Sequence, residues 1–376
     1  MYRPLISRII RSLLAVALLA ITAFGGTVAA ADSAHAGVVY ALTNAATGNA
    51  VVVWNRAPDG TLSPAGSYAT GGLGTAAGLG SQGAVVLSDN HRLLFAVNPG
   101  SNDISSFQVD GDSLTLVGRV PSGGTTPTSL TLHDRRLYVL NAGGAGNISG
   151  FKIAHNGALT PLANSTRALS GGATAPAQVQ FSPDGDFLAV TERASQNIDI
   201  YPVDENGQAG ALVVSRSSGA VPFGFAFDKR GRLVVSEAGG GQNGLSAASS
   251  YRIDDNGNLV VITGSAATNQ GAACWVVITK NGRFAYTANA AAGSNSISGF
   301  AIGKNGSLTL ITPDGRTGVA GNGPADMALS VNSQFLYVRN ARDNSISAFA
   351  VQADGTLQAL PGAAGLPAGA AGLAAF

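Results

Sequence analysis

The chain has 376 residues, of which 51 are Gly and only 11% are charged, with Lys and Arg (22) nearly balancing Asp and Glu (21). That balance leaves no electrostatic footprint for nucleic acid or an anionic membrane surface, and the glycine content points to tight turns rather than helices. A single cysteine, Cys274, excludes an internal disulfide.

Residues 1–36 are expected to be an export signal. Arg3, Arg8 and Arg11 flank and precede the apolar run Leu13 to Ile21, and Ala34-His35-Ala36 fits the A-x-A cleavage rule, with a cut near Ala29 to Ala31 as the alternative. The run is too short to span a bilayer comfortably. Removing this segment takes away three Arg and one Asp, so the formal charge moves from +1 to −1. Residues 37–376 are expected to form one domain, a soluble monomer without a membrane span, periplasmic or secreted.

From Val39 onward one unit recurs seven times. It reads apolar–aromatic–apolar–x–Asn, then Asn-x-Ile-Ser-x-Phe, then a Gly-x-Leu turn. Its turn glycines fall at Gly60, Gly111, Gly157, Gly207, Gly257, Gly306 and Gly355, at intervals of 46 to 51 residues. The segments alternate apolar and polar residues and are rich in Val, Ile, Tyr and Phe, which predicts strands. Turns such as Pro183-Asp184-Gly185 and Asn281-Gly282 supply hairpin geometry. Self-similarity at this period predicts an all-β, seven-bladed β-propeller with four antiparallel strands per blade. The first unit begins directly on its second strand, so residues 370–376 are expected to supply the missing strand and close the ring.

Ligand chemistry is expected where loops gather, around the mouth of the central channel. In six of the seven units, two residues after the start of the inner strand stand Ser129, Gln178, Gly224, Trp275, Asp326 and Gly372; the exits of the second strands read Asn44, Asn98, Asn141, Glu192, Glu237, Asn289 and Asn340. Asn suits such a turn and Glu does not. Glu192 and Glu237 therefore stand out as candidate acid/base groups, with Arg193 and Arg339 as anion holders. Asp326, Gln178, Asn141 and Asn289 are further candidates for binding substrate. Trp275 is read either as a stacking platform or as a plug. His91, His133 and His155 fall in turns away from this mouth. No His or Cys cluster supports a metal, and no cofactor is expected.

The segments Phe181-Ser182-Pro183-Asp184-Gly185-Asp186-Phe187-Leu188-Ala189-Val190 and Phe335 to Asn340, with Asn344-Ser345-Ile346-Ser347-Ala348-Phe349, resemble the lactonase-type seven-bladed propellers. That family includes bacterial phosphogluconolactonase and the fungal carboxymuconate-cyclising enzyme. The resemblance implies a lactone-opening or lactone-forming site at the channel mouth, built from carboxylate, Arg and often His side chains. The His found near the inner strands of many members is missing: Pro176 is followed by Ala177 and Gln178, and Pro127 by Thr128. The expected ligand is a small molecule. The alternative is a non-catalytic propeller that holds a protein or glycan partner.

Overall fold

The computed structural model describes residues 37–376; the expected export signal, residues 1–36, lies outside the described residues. Seven antiparallel sheets follow one another, each running from an inner strand at the channel to an outer edge. Blade two runs Val85–Leu87, Leu93–Asn98, Asp103–Asp110, Ser113–Pro121, and blade four runs Pro176–Phe181, Phe187–Glu192, Asn197–Pro202, Val213–Arg216. In blades three and six the fourth strand is broken in two. Among the described residues the single helical turn is a 3-10 turn at Gly239–Gly241. Among the described residues no helix is long and apolar enough to cross a membrane.

The ring closes as the missing strand requires. Ala371–Ala375 is the inner strand of blade one and pairs with Gly37–Leu42, with Tyr40 opposite Ala374 and Leu42 opposite Ala371. Closure leaves no inner sheet edge without a neighbour, which is how a propeller avoids edge-to-edge association.

In blades three, six and seven the repeated tyrosine joins one blade to the next. Tyr337 Oη of blade seven donates to Gly60 O of blade one (2.8 Å), Tyr138 to Gly207 O (2.9 Å) and Tyr286 to Gly355 O (2.8 Å). The accepting glycines hold φ of +78° to +89°, the left-handed region that side chains avoid. Burial removes these phenols from water, so each needs such a partner. Apolar side chains fill the spaces between blades: Val39, Trp54, Tyr337, Leu366 and Leu373 pack together where blade seven meets blade one.

Candidate functional site

The second-strand exits of four blades follow one rule, from which blades one, four and five depart. In blades two, three, six and seven the exit is a buried Asn, and a Ser stands on the neighbouring third strand. Asn340 Nδ2 donates to Ser345 and Ser347 (both 2.9 Å), Asn289 to Ser296 (3.0 Å) and Ser298 (2.8 Å), and Asn98 to Asp103 (2.7 Å) and Ser105 (2.8 Å). Asn141 donates to Asn147 (2.9 Å) and Ser122 O (3.3 Å). Asn141 and Asn289 are therefore interior ties between strands, with no surface on the channel mouth.

Blade four replaces both members of this pair. Glu192 takes the Asn position and Asp199 the Ser position, and both side chains are fully buried. Burial and the adjoining Glu192 carboxyl push Asp199 up to about 8, so at neutral pH it keeps a proton that binds the two carboxyls together. Glu192 accepts hydrogen bonds from Ser170 Oγ, from Ser195 Oγ (2.5 Å) and from Ser170 N (3.0 Å). Ser170 and Ser195 are only half-buried and form the outer side of this network on the loop face.

Glu237 has a different setting. Its carboxylate accepts from Gly219 N (2.7 Å), Ser217 Oγ (3.3 Å), Ser249 Oγ (2.5 Å) and Ser265 Oγ (2.5 Å). Four donors saturate it inside blade five. The structure does not gather Glu192 and Glu237 into one pocket; each is enclosed by its own set of hydroxyls.

Around the channel the other candidates do come together. Arg193 follows Glu192 but turns the opposite way, towards blade five. Its Nε donates to Ala175 O (3.0 Å) and its guanidinium lies 5.1 Å from the centre of the Phe223 ring. No carboxylate partners it among the described residues, and burial lowers its pKa from the ordinary arginine value. Trp275 also packs against Phe223, with ring centres 5.1 Å apart. It is buried and its indole N–H donates to Ser81 O (2.9 Å), so it acts as the plug of the two roles the sequence left open. Cys274 beside it is buried, and desolvation pushes the thiol up to about 12, well away from a reactive thiolate.

The plug is completed by the segment leading to blade two. Gln82 Nε2 donates to Val276 O (2.7 Å) and Gln82 Oε1 accepts from Val276 N (3.0 Å), while Ser81 Oγ donates to Thr128 O (2.8 Å). Ser81 and Gln82 thus tie blades three and six across the ring. Below them lies a channel cavity of about 470 Å³, which runs to Asp89 and His91 at the turn between the first and second strands of blade two. Gln178 lines it but spends its amide on Phe225, donating to O (2.9 Å) and accepting from N (2.7 Å). Asp326 also lines it. Its Oδ1 accepts from Met327 N (2.9 Å), while the backbone N–H groups of Gly83 and Leu373 lie near enough to favour its charged form. Burial nevertheless pushes it up to about 7, against the opposing pull of nearby Arg339. Arg339 is buried, with its Nε unpartnered. Among the described residues, no group of three or more His, Cys, Asp or Glu is placed to hold a metal ion.

Residues 65–172, 165–261 and 245–370 match the family described as "Lactonase, 7-bladed beta-propeller". A 6-phosphogluconolactonase of Serratia proteamaculans is 27% identical over 120 residues, covering 31% of this chain and 36% of the relative. One from Yersinia pestis is 26% identical over 140 residues, covering 36% and 40%. These matches span well under half the length of the curated relatives. Among solved structures, a putative 6-phosphogluconolactonase from Bacteroides fragilis superposes with a TM-score of 0.71 at 20% identity, covering 92% of this chain and 98% of that one. The periplasmic gluconolactonase of Pseudomonas aeruginosa gives 0.69 at 19%, covering 89% and 98%. At such identities the likeness is one of fold.

Proposed function

The chain belongs to the family of seven-bladed lactonase β-propellers, and on that premise we propose that it is an exported hydrolase that opens a sugar-acid lactone on the loop face beside blade four. One observation carries this reading. Blade four holds a guanidinium without a carboxylate partner, Arg193, next in sequence to a buried carboxyl pair, Glu192 and Asp199, that retains a proton near neutral pH. The half-buried hydroxyls of Ser170 and Ser195 connect that pair to the surface.

Lactone opening needs what these groups offer. Water adds to the carbonyl carbon, the ring C–O bond breaks, and the freed ring oxygen takes a proton, giving a hydroxy acid. The pair accepts one proton from the attacking water through a serine hydroxyl and returns one to the leaving oxygen, ending as it began. Arg193, turned towards blade five, is left to bind the hydroxyl-bearing end of the lactone, away from the reacting carbonyl. Ring closure of the hydroxy acid would use the same groups in reverse. The signal-like pattern of residues 1–36 and the periplasmic relative of the same fold support export, and an exported enzyme meets an unphosphorylated lactone more readily than a cytoplasmic sugar phosphate. N-terminal sequencing of the exported protein is expected to begin at Gly37; a product that retains Met1 would exclude cleavage.

The purified protein is expected to hydrolyse D-glucono-δ-lactone faster than its 6-phosphate. Glu192→Gln should lower kcat roughly 100-fold or more, and Arg193→Gln should act mainly on KM. Glu237→Gln should leave kcat within about twofold but lower stability by about 2 kcal/mol, since its amide nitrogen meets donors. An inactive wild type across a broad lactone panel, or full activity in Glu192→Gln, would sink the reading.

A further inference from the structure

We propose that the channel cavity is a second ligand site, separate from the loop-face site, for a compact molecule with an apolar body and a neutral or cationic hydrogen-bond donor at its head. The plug of Ser81, Gln82 and Trp275 bonds across the ring on one side. The cavity is therefore approached from the other face, past Asp89 and His91. Its volume of about 470 Å³ suits a small ligand.

The lining sets the chemistry. Val179, Phe225, Val276, Ile278, Met327 and Leu373 give it apolar walls. Its charged or titratable side chains are Asp89, Asp326 and His91, and neither Lys nor Arg lines it. Asp326 is 1% exposed, and its Oδ2 has no hydrogen-bond partner. An unmet buried acceptor costs free energy that a donor on a ligand recovers. Arg339 behind Asp326 offsets part of the carboxyl charge, so a neutral hydroxyl suffices. A carboxylate would meet two acidic side chains with no cation on the wall.

Ligand-detected NMR titrations with benzyl alcohol, benzylamine and benzoate test this on residues 37–376. Benzyl alcohol and benzylamine are expected to bind with Kd on the order of millimolar, as so few atoms allow, and benzoate at least about tenfold more weakly. Val277→Trp and Val86→Trp, two independent ways of filling the channel, should each abolish binding. Asp326→Asn, checked for an unchanged melting curve, should weaken the donor ligands about tenfold. Arg193→Gln should leave all three titrations unaltered, which separates this site from the lactonase reading. Benzoate binding as well as the alcohol, no binding by either donor probe, or unchanged binding in both channel-filled variants would overturn the proposal.

Discussion

Leu373→Asp is expected to cost about 5 kcal/mol of stability, the sum of a lost buried leucine and an unpaired buried carboxylate. Leu373 is 5% exposed in the apolar space shared by Val39, Trp54 and Tyr337. It lies in the strand Ala371–Ala375, which pairs with Gly37–Leu42 and closes the ring. Leu373 also lines the channel cavity together with Asp326, so the new carboxylate would stand near an existing acid. Neutralisation offers a partial escape, as it does for any buried acid, and the loss should be smaller at pH 5 than at pH 8. Urea unfolding measures it directly. Ala375→Asp, at a half-buried position of the same strand, should cost roughly 1 kcal/mol or less. If both variants unfold within about 1 kcal/mol of the wild type, the terminal strand is not what holds the ring shut.

That strand was legible in the sequence because the repeat makes a vacancy countable: seven second strands and six inner strands ahead of them leave one place to fill. The glutamates were legible for the same reason, as departures from a ring of asparagines. Asp199 was not singled out, although the signal was present in Asn197-Ile198-Asp199, where other blades carry Asn-x-Ile-Ser. What was missing was register. Only the pairing of Val190 with Asp199 and of Glu192 with Asn197 brings the acid beside the glutamate. Register also separates the two glutamates: Glu237 keeps the Ser of the repeat, Ser249, and adds Ser217 and Ser265, which the repeat does not predict. The plug was beyond reach for another reason. The stretch from Gly71 to Gly83 contains six glycines and reads as a flexible loop. The partners that fix Ser81 and Gln82 are Thr128, Trp275 and Val276, far away in the chain. Which end of the channel is open follows from those contacts and not from any local pattern.

The carboxyl pair also sets how the fold responds to pH. Asp199 is raised from 3.8 to about 8 and Asp326 from 3.8 to about 7, in both cases chiefly by burial. A folded state that holds protons more tightly than the unfolded chain is stabilised most at low pH. The contribution of each group is complete below about pH 4 and is lost as pH rises through the folded value. The lowered carboxyls Asp59, Asp254 and Asp354 act in the opposite sense, but only as pH falls towards 4 and below. His91, lowered by burial, acts in the opposite sense within this range, but between pH 5 and 9 the two raised acids should dominate, and stability should fall by several kcal/mol, at about 1.4 kcal/mol per pKa unit for each group. Asp199→Asn retains a donor for Glu192 without a titrating proton. It should be more stable than the wild type at pH 9, and only the fall due to Asp326, which levels off above about pH 7, should remain. Urea midpoints of both proteins across this range check the sign. A wild type that grows more stable from pH 5 to 9, or an Asp199→Asn curve parallel to it, would mean that Asp199 is ionised in the fold. Blade four would then carry no stored proton for lactone opening.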